Sequence, residues 1–390
     1  MDKRLQIAER LKKIRPSDIR RFFSLTQGIS SVISLGIGEP DFAPPSRVLE
    51  AAKQALNEGK THYTPSMGIP ELREALAKKT KNEYGLSYNP ENEVLVTNGG
   101  TEAIFLALLA MINPLDEVLI PDPGFVCYEP DVLMADGIPI SVPLFEKDGF
   151  KHDTDVVMSR ITDKSRVIIV NSPNNPTGHV LSYEEAASIA KIAVERDLVV
   201  ISDEVYEKIV YDGVKHYCLA TFPGMRERTV VVNSFSKTYA MTGFRIGYVL
   251  GPKQIITQML LALQYAVACV NGPAQYAALA ALEGSQDSVR DMVKEFDRRR
   301  RLIYSGFMGI KGIRCILPKG AFYIFPNIHD FGKSSMEFTE YLLSEGKVVA
   351  VPGSAFGQHG EGYMRFSYAT SYNRIEEALN RIERAVKKIR

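Results

Sequence analysis

One lysine of this chain stands among residue types that could carry nucleophilic chemistry beside a bound anion. Lys237 directly follows Ser236, Ser234 lies two residues before that serine, and Arg245 follows the lysine eight residues later. A lysine amine can bond covalently to a carbonyl carbon, and hydroxyls with a guanidinium suit a phosphate dianion. Two apolar runs end on further polar residues, one on Asp203 and Tyr206 and the other on Asn175. An amine, a carboxylate and a phosphate site are the groups that pyridoxal phosphate requires.

The segments around these residues alternate between strand-like and helical patterns. Short apolar runs predict strands, and apolar residues recurring every three to four positions predict helices. The predicted strands are 32–35, 93–97, 117–120, 138–142, 167–170, 199–202, 229–233 and 246–250, and the predicted helices are 5–25, 47–56, 70–83, 101–111, 129–135, 183–196 and 253–268. Several strands are almost wholly apolar, as expected where helices cover both faces of a parallel sheet. Lys237, Asp203 and Asn175 all follow such runs, where open α/β sheets collect their ligands.

The pattern changes in the last third of the chain. We predict a long helical stretch at 273–308, a strand–turn–strand at 313–325, a helix at 335–345, strands at 348–351 and 364–368, and a helix from 374. The basic run within the long helical stretch is interpreted as a solvated helix face. The predicted fold class is therefore α/β: a large domain with a mixed, mostly parallel sheet flanked by helices, and a smaller α+β domain.

Composition narrows the classes of function. A chain of 390 residues is longer than the chains that usually fold around a single hydrophobic core, which favours two domains. The net charge of +1 gives no field that would attract nucleic acid or an anionic membrane. Four dispersed cysteines favour a reducing compartment, so we expect a cytoplasmic protein. The charged start shows no signal sequence, and no apolar run reaches the ~20 residues of a membrane helix. Six scattered histidines predict no metal site.

The chain resembles the class I/II aminotransferases of the aspartate/aromatic type, which are fold type I pyridoxal-phosphate enzymes. The resemblance rests on the joint order and spacing of motifs from Gly-Ile-Gly-Glu-Pro-Asp-Phe at 36–42 to Tyr-Met-Arg-Phe-Ser-Tyr at 363–368, nearly the whole chain. It implies a homodimeric enzyme of amino-acid metabolism that holds its cofactor as a Schiff base. We expect residues 45–284 to form the cofactor-binding domain, and residues 1–44 with 285–390 to form the small domain.

The predicted phosphate site rests partly on the hydrogen-bonding groups of the residues and partly on the family resemblance. The serine hydroxyls and the guanidinium are predicted from their hydrogen-bonding groups. The Asn-Gly-Gly-Thr stretch at 98–101 precedes an apolar helix, and a helix N-terminus favours an anion, although a simple tight turn would look the same. The resemblance makes two of these residues phosphate ligands and adds a tyrosine of the partner subunit. The predicted phosphate ligands are Ser234, Ser236, Arg245, Gly100 and Thr101, with Tyr63 from the partner.

The predicted catalytic residues are Lys237, Asp203 and Tyr206. Lys237 would bind the cofactor aldehyde and, once released by substrate, move a proton between the substrate α-carbon and the cofactor C4′. Asp203 would pair with the protonated pyridine nitrogen, which keeps the ring an electron sink. Tyr206 and Asn175 would hydrogen-bond the phenolic oxygen, and Phe125 would stack on the ring. The Asn-Pro bond at 175–176 is a candidate cis peptide.

The predicted substrate site consists of Arg365, Gly38 and Asn175. Arg365 would pair with the α-carboxylate in a bidentate manner, and Gly38 would offer a backbone N–H. Some aspartate-preferring relatives have a lysine where this chain has Thr101, so an aspartate, aromatic or broad donor range stays open. Two phenylalanines, at 22 and 23, could line an apolar pocket or simply pack in the core.

The predicted reaction transfers an amino group from an L-amino acid to a 2-oxo acid such as 2-oxoglutarate. A β-lyase or a decarboxylase on the same scaffold is the alternative, because one electron sink serves all three reactions. An acyl-transferring serine enzyme would explain the Ser-x-x-Lys spacing at 234–237, but the companion Lys-Thr-Gly motif is missing. A regulator with an aminotransferase-like domain would need a DNA-binding module, for which the first forty residues leave no room.

Overall fold

The computed structural model describes residues 7–16 and 31–389. The predicted helix at 5–25 is represented there only by the single turn Glu9–Lys12. Phe22 and Phe23 lie outside the described residues.

Twelve strands and thirteen helices organise the described residues. The strands are β1 (Ile33–Ser34), β2 (Val94–Thr97), β3 (Glu117–Asp122), β4 (Ile138–Pro143), β5 (Ser165–Asn171), β6 (Val199–Asp203), β7 (Thr229–Ser234), β8 (Gly247–Leu250), β9 (Tyr323–Ile324), β10 (Val348–Val349), β11 (Val351–Pro352) and β12 (Met364–Ser367). The helices are α1 (Glu9–Lys12), α2 (Ser46–Asn57), α3 (Pro70–Tyr84), α4 (Gly100–Met111), α5 (Tyr128–Met134), α6 (Thr154–Arg160), α7 (Tyr183–Glu195), α8 (Phe235–Thr238), α9 (Lys253–Val267), α10 (Gly272–Glu283), α11 (Asp287–Gly309), α12 (Ser335–Tyr341) and α13 (Tyr372–Val386).

The main sheet has seven strands in the order β2-β8-β7-β6-β5-β3-β4. All neighbours are parallel except β8, which runs antiparallel to both β2 and β7. The other six strands therefore point the same way, and their carboxyl ends meet at one edge of the sheet. This arrangement confirms the predicted mixed, mostly parallel sheet.

Strand β5 shows why the inner strands are almost wholly apolar. Val167 and Ile169 pack into a core cluster with residues of α4 and α9. Ile168 and Val170 point to the opposite face and pack in a second cluster with residues of α7. Successive side chains of a strand alternate between faces, so helices on both faces require an apolar residue at every position.

Two small sheets lie outside the seven-stranded sheet. Strand β1 pairs in parallel with β10, and β12 pairs antiparallel with both β11 and β9. Strands β1, β9, β10 and β12 share a core cluster with α11 and α13, which includes Phe296, Phe307 and Ile375. The part of the chain after α10 thus combines helices with short, mostly antiparallel strands, as predicted for an α+β unit. The exact domain boundaries stay a prediction.

The prediction of one long helical stretch at 273–308 was wrong, because α10 ends at Glu283 and α11 begins at Asp287. Arg47 explains the break. Its guanidinium donates to the carbonyl oxygens of Ala280 and Ser285. A Cβ at Gly284 would lie 1.7 Å from Arg47 Nε, so only glycine admits this side chain between the two helices.

The predicted strand–turn–strand at 313–325 was also wrong for its first half. Only β9 is a strand, and Arg314 forms an isolated bridge to Asn327. The backbone groups of the turn are used elsewhere: Lys319 N–H donates to Gly178 O at 2.9 Å, and Ala321 N–H donates to Ile209 O at 2.9 Å. Hydrogen bonds to two distant loops therefore replace the hairpin ladder that the sequence pattern predicted.

Two smaller differences concern local signals. The predicted strand at 348–351 divides into β10 and β11, which belong to different sheets. Helix α6 was not predicted, although Asp153 caps it by accepting hydrogen bonds from the N–H groups of Asp155 and Val156.

In the described residues, no helix has the length and apolar character needed to cross a membrane.

A buried charged network lies behind the loop that follows β6. Lys79 Nζ is 2.6 Å from Glu207 Oε1, and only 3% of the Glu207 side chain is exposed. Glu204 Oε2 is 2.9 Å from His216 Nε2. Glu204, Glu207 and His216 are close enough to share a metal ion. However, Glu207 is already hydrogen-bonded by Lys79 and Tyr84, so we interpret the cluster as a structural anchor of this loop.

Replacing Lys79 by methionine is expected to lower the free energy of unfolding at pH 7 by about 3–5 kcal/mol, because Glu207 would stay buried without its partner. Burial alone would raise the pKa of Glu207, but attraction to Lys79 and other cations lowers it to about 2. The contribution of the pair is thus present above pH ~4.3 and disappears as the pH falls toward the folded-state pKa.

Urea unfolding of Lys79→Met at pH 7 checks this expectation. Lys53→Met is the control, because Lys53 pairs with Glu50 at the surface, where the side chains are 66% and 68% exposed. The control is expected to lose less than about 1 kcal/mol. Equal losses in the two variants would contradict the interpretation of Lys79 as a buried anchor.

Candidate active site

A cavity of about 240 Å³ opens at the carboxyl edge of the seven-stranded sheet. The predicted site residues that line it are Gly38, Gly100, Thr101, Phe125, Asn175, Asp203, Tyr206, Ser234, Ser236, Lys237, Arg245 and Arg365. Five strand ends supply most of them, because β2, β3, β5, β6 and β7 all end at this edge. Tyr63 does not line the cavity, and its side chain is 89% exposed.

Lys237 lies on α8, a single helical turn directly after β7. Ser234 begins this turn by accepting a hydrogen bond from the N–H of Ser236 at 3.1 Å. The lysine Nζ donates to Gly38 O at 2.6 Å. Burial, with a smaller contribution from the guanidinium of Arg365, lowers the pKa of Lys237 to about 8. At pH 7 roughly a tenth of the amine is therefore neutral, far more than for a free lysine with a pKa near ~10.4.

Asp203 ends β6 and is buried at the floor of the cavity. Tyr128 donates its hydroxyl proton to Asp203 Oδ2 at 2.6 Å. Burial raises the pKa of Asp203 to about 6, while the hydrogen bond from Tyr128 limits the rise by stabilising the carboxylate. The carboxylate of Asp203 is thus mainly ionised at neutral pH and can accept a hydrogen bond from a positively charged N–H group.

Arg365 is a buried guanidinium without a carboxylate partner among the described residues. Its Nη1 donates to Asn175 Oδ1 at 3.1 Å, and its Nη2 donates to Gly36 O at 2.6 Å. Its Nε is buried and has no hydrogen-bond partner in the described part of the chain. Burial also lowers the pKa of Arg365. Because a buried cation is costly unless it is paired, this geometry favours an anionic ligand.

The carboxyl ends of β5 and β6 are tied together by Asn171. Its Nδ2 donates to Asp203 O at 3.0 Å, and its Oδ1 accepts from Asn175 N–H at 2.8 Å. The Asn175–Pro176 bond is cis, as predicted. Asn171 therefore fixes the distance between Asp203 and the Asn175 side chain that contacts Arg365.

Groups that can bind an anion meet at the other end of the cavity. The hydroxyls of Ser234 and Ser236 are 2.9 Å apart. Helix α4 begins at Gly100, and its first residues, Gly100 and Thr101, line the cavity, so the helix N-terminus favours an anion there. Arg245 Nη2 reaches Asn98 O at 3.1 Å across Gly99. Gly99 has φ of +97°, and a Cβ there would lie 2.5 Å from Arg245 Nη2, so glycine is required for this approach.

Five residues that line or support the cavity were not predicted. They are Tyr323, Tyr128, Asn171, Ile104 and Val205. Asn171 carried a usable signal, because it is the polar residue that directly ends an apolar run. Tyr128 and Tyr323 carried none, since each contacts its partner across a long sequence separation.

Comparison with known proteins identifies the family. A family model described as aminotransferase class I and II matches residues 30–382. The chain belongs to the class I and II aminotransferases. This aminotransferase is 47% identical to the aromatic-amino-acid aminotransferase 2 of Thermococcus litoralis, over 98% of this chain and 99% of that protein. It is 48% identical to the aspartate aminotransferase of Pyrococcus abyssi, with the same coverage.

The structural comparison confirms the fold class. The aspartate aminotransferase from Thermus thermophilus, solved with maleate, matches with a TM-score of 0.93 and 37% identity, over 98% of this chain and 100% of that chain. The enzyme thus has the fold type I architecture that the sequence predicted, and it catalyses amino-group transfer. The β-lyase or decarboxylase alternative is not favoured by these relatives.

The residues around the cavity fit pyridoxal phosphate, on which this family depends. A buried amine with a lowered pKa, a buried carboxylate and a set of anion donors face one space. The unpartnered Arg365 Nε indicates room for a further anion beside them. One cofactor with a phosphate, together with an amino-acid carboxylate, would satisfy all of these groups.

Proposed function

We propose that this aminotransferase uses pyridoxal phosphate to move an amino group from an L-amino acid to a 2-oxo acid such as 2-oxoglutarate. The observation that carries the proposal is that Lys237, Asp203 and the anion donors line a single cavity. We further propose that residues 45–284 form the cofactor-binding domain, and that residues 1–44 and 285–390 form the small domain. A cytoplasmic location and the absence of nucleic-acid partners stay predictions.

The phosphate group would bind at the amino end of α4. Ser234, Ser236 and Arg245 line the cavity, so their hydroxyls and guanidinium would pair with the phosphate. Backbone N–H groups at Gly100 and Thr101 would complete the set, since a helix N-terminus attracts an anion. The cluster joins the ends of β2 and β7 with Arg245, two residues before β8, so it would hold one end of the cofactor rigidly.

Asp203 would hold the pyridine nitrogen in its protonated form. When bound, the cofactor supplies an electron sink for the substrate α-carbon. Tyr128 keeps the carboxylate oriented through its 2.6 Å hydrogen bond. Tyr206 and Asn175 would donate to the phenolic oxygen, and Phe125 would pack on the ring face.

Lys237 would hold the cofactor through its aldehyde carbon and later act as the proton carrier. Its lowered pKa makes the amine available as a nucleophile near neutral pH. After an incoming amino acid releases it, the Nζ would take the proton from the substrate α-carbon and give it to the cofactor C4′. The hydrogen bond from its Nζ to Gly38 O supports this role, because Gly38 is a residue that we propose to bind the substrate.

Arg365 would bind the substrate α-carboxylate, assisted by Asn175 and the backbone N–H of Gly38. Arg365 Nη1 is hydrogen-bonded to Asn175, whereas Nε has no partner among the described residues and is therefore available to an anionic ligand. The relatives are named for aspartate and for aromatic amino acids. We therefore propose that the amino donor is aspartate, an aromatic amino acid or both. Thr101, which stands where some aspartate-preferring relatives have lysine, leaves this range open.

Absorbance spectra of the purified protein with pyridoxal phosphate test this function. Adding aspartate, glutamate or an aromatic amino acid should convert the aldehyde form of the cofactor to the amine form, and 2-oxoglutarate should reverse the change. A β-lyase would instead release ammonia, and a decarboxylase would release carbon dioxide. A protein without any cofactor absorbance after this treatment would contradict the proposal.

We also propose a homodimer in which Tyr63 contacts the phosphate of the partner subunit. Light scattering should give twice the mass of 43.4 kDa. Tyr63→Phe should weaken cofactor binding about tenfold or more, because a hydrogen bond to a charged group is lost. Tyr183→Phe is the control, because Tyr183 is also exposed but packs on Tyr217 and Phe222 away from the cavity. A fully active monomer would overturn the proposal.

A further inference from the structure

Two buried tyrosines meet at the wall of the cavity. Tyr206 follows β6 of the seven-stranded sheet, whereas Tyr323 begins β9 and pairs with Ser367 of the strand that carries Arg365. Their hydroxyl oxygens are 2.8 Å apart, and both side chains are buried. This hydrogen bond links the sheet that would hold the cofactor to the strand that would hold the substrate carboxylate.

The number of protons decides the direction of this hydrogen bond. Each phenol has one proton to donate, and burial raises the pKa of both Tyr206 and Tyr323, which keeps both protonated. If Tyr206 donates its proton to a ligand oxygen, the proton between the two hydroxyls must come from Tyr323. Hydrogen bonds in such a chain strengthen one another, so the bond from Tyr323 makes Tyr206 a better donor.

Tyr323 is held firmly in this position. The preceding turn contains Ala321 with φ of +55°, a conformation that residues with a side chain rarely adopt. The carbonyl oxygen of Ala321 accepts hydrogen bonds from the hydroxyls of Tyr211 and Tyr368. On the other side, a Cβ at Gly38 would lie 2.2 Å from the Tyr323 oxygen, so the hydroxyl fills the space that glycine leaves.

The ring and the hydroxyl of Tyr323 have separate contacts. The ring lies 4.4 Å from the guanidinium carbon of Arg365, as in a cation–π contact. The hydroxyl contacts Tyr206. A phenylalanine at this position would therefore keep the first contact and remove only the second.

We propose that Tyr323 is a positioning residue that donates its hydroxyl proton to Tyr206 and thereby fixes Tyr206 as a donor to the phenolic oxygen of the cofactor. This inference rests on the proposed function, in which Tyr206 contacts that oxygen. A donor to the phenolic oxygen stabilises its anionic form, so losing the Tyr323 hydroxyl should favour the protonated form.

A pH titration of the cofactor absorbance in Tyr323→Phe tests the inference. The midpoint should move upward by about 0.4–1 pH unit relative to the wild-type protein. The kcat should fall about threefold to tenfold, while the KM for the amino donor stays within about twofold, because the contact between the ring and Arg365 persists. The spectroscopic midpoint is the decisive readout, since a purely structural role would not move it.

A double-mutant cycle shows whether Tyr323 acts through Tyr206. Tyr206→Phe should shift the midpoint further in the same direction, and adding Tyr323→Phe should cause no additional shift. Tyr341→Phe is the control, because the hydroxyl of Tyr341 donates to Ala385 O at 2.9 Å, outside the cavity. The cofactor absorbance of this variant should titrate with the same midpoint as that of the wild-type protein.

The outcomes separate this inference from the proposed function. If the function were wrong, the wild-type protein itself would show no cofactor band that responds to amino acids. If only the inference were wrong, the wild-type protein would show this band, and Tyr323→Phe would titrate with the same midpoint. Additive shifts in the double variant would also overturn the inference.

Discussion

Replacing Lys237 by alanine is expected to reduce the rate of amino transfer by about 10³-fold or more. The variant loses both the nucleophile that would bind the cofactor aldehyde and the base that would move the substrate proton, and a positioned acid–base group alone contributes ~10²–10⁴-fold. No other lysine lines the described cavity. Steady-state assays with aspartate and with an aromatic amino acid, each paired with 2-oxoglutarate, measure the effect.

Two further measurements make the Lys237 prediction specific. Borohydride reduction followed by mass spectrometry should attach the cofactor to the peptide with Lys237 in the wild-type protein and leave the variant unlabelled. Lys191→Ala is the matched control, because this side chain is 74% exposed and its nearest acidic partner is 3.8 Å away. Wild-type turnover in Lys237→Ala would refute the proposed mechanism.

Replacing Asp203 by asparagine is expected to lower kcat by about 10²–10⁴-fold. The amide keeps the size of the side chain and can still accept the hydrogen bond from Tyr128, but it has no charge to hold the ring proton. Breaking a buried charge pair costs ~3–5 kcal/mol, which corresponds to this range of rates. The cofactor should still bind, because the phosphate donors and Lys237 are unchanged.

Asp122→Asn is the control for this substitution. Asp122 is also a buried aspartate at the carboxyl end of a parallel strand, but it contacts Ser141 and His359 and does not line the cavity. Its kcat should stay within about threefold of the wild-type value, while its thermal stability can fall. Near-normal turnover in Asp203→Asn, with cofactor bound, would show that Asp203 does not pair with the ring nitrogen.

The parallel sheet could be predicted because its signals are local. An inner strand must be apolar on both faces, so runs such as 167–170 stand out in the sequence. The residues directly after these runs share one edge of the sheet, which brought Asp203, Asn175 and Lys237 together in the prediction. The structure places all three at one cavity.

Elements that depend on distant partners were not predicted correctly. The turn before β9 gives its backbone hydrogen bonds to Gly178 and Ile209, so its strand-like pattern did not produce a hairpin. The break between α10 and α11 depends on Arg47, which is distant in sequence. No local pattern reports such contacts, because they arise only once the chain is folded.

The amino-acid sequence by itself determined the family, the alternation of strands and helices, and the reactive groups, since each of these depends on short runs of residue types. Only the tertiary structure decided how these groups are tuned. Burial sets the pKa of Lys237 to about 8 and that of Asp203 to about 6. Tyr128 and Tyr323 reach the site from other elements. Desolvation and hydrogen-bond partners are properties of packing, and packing joins residues that the sequence keeps far apart.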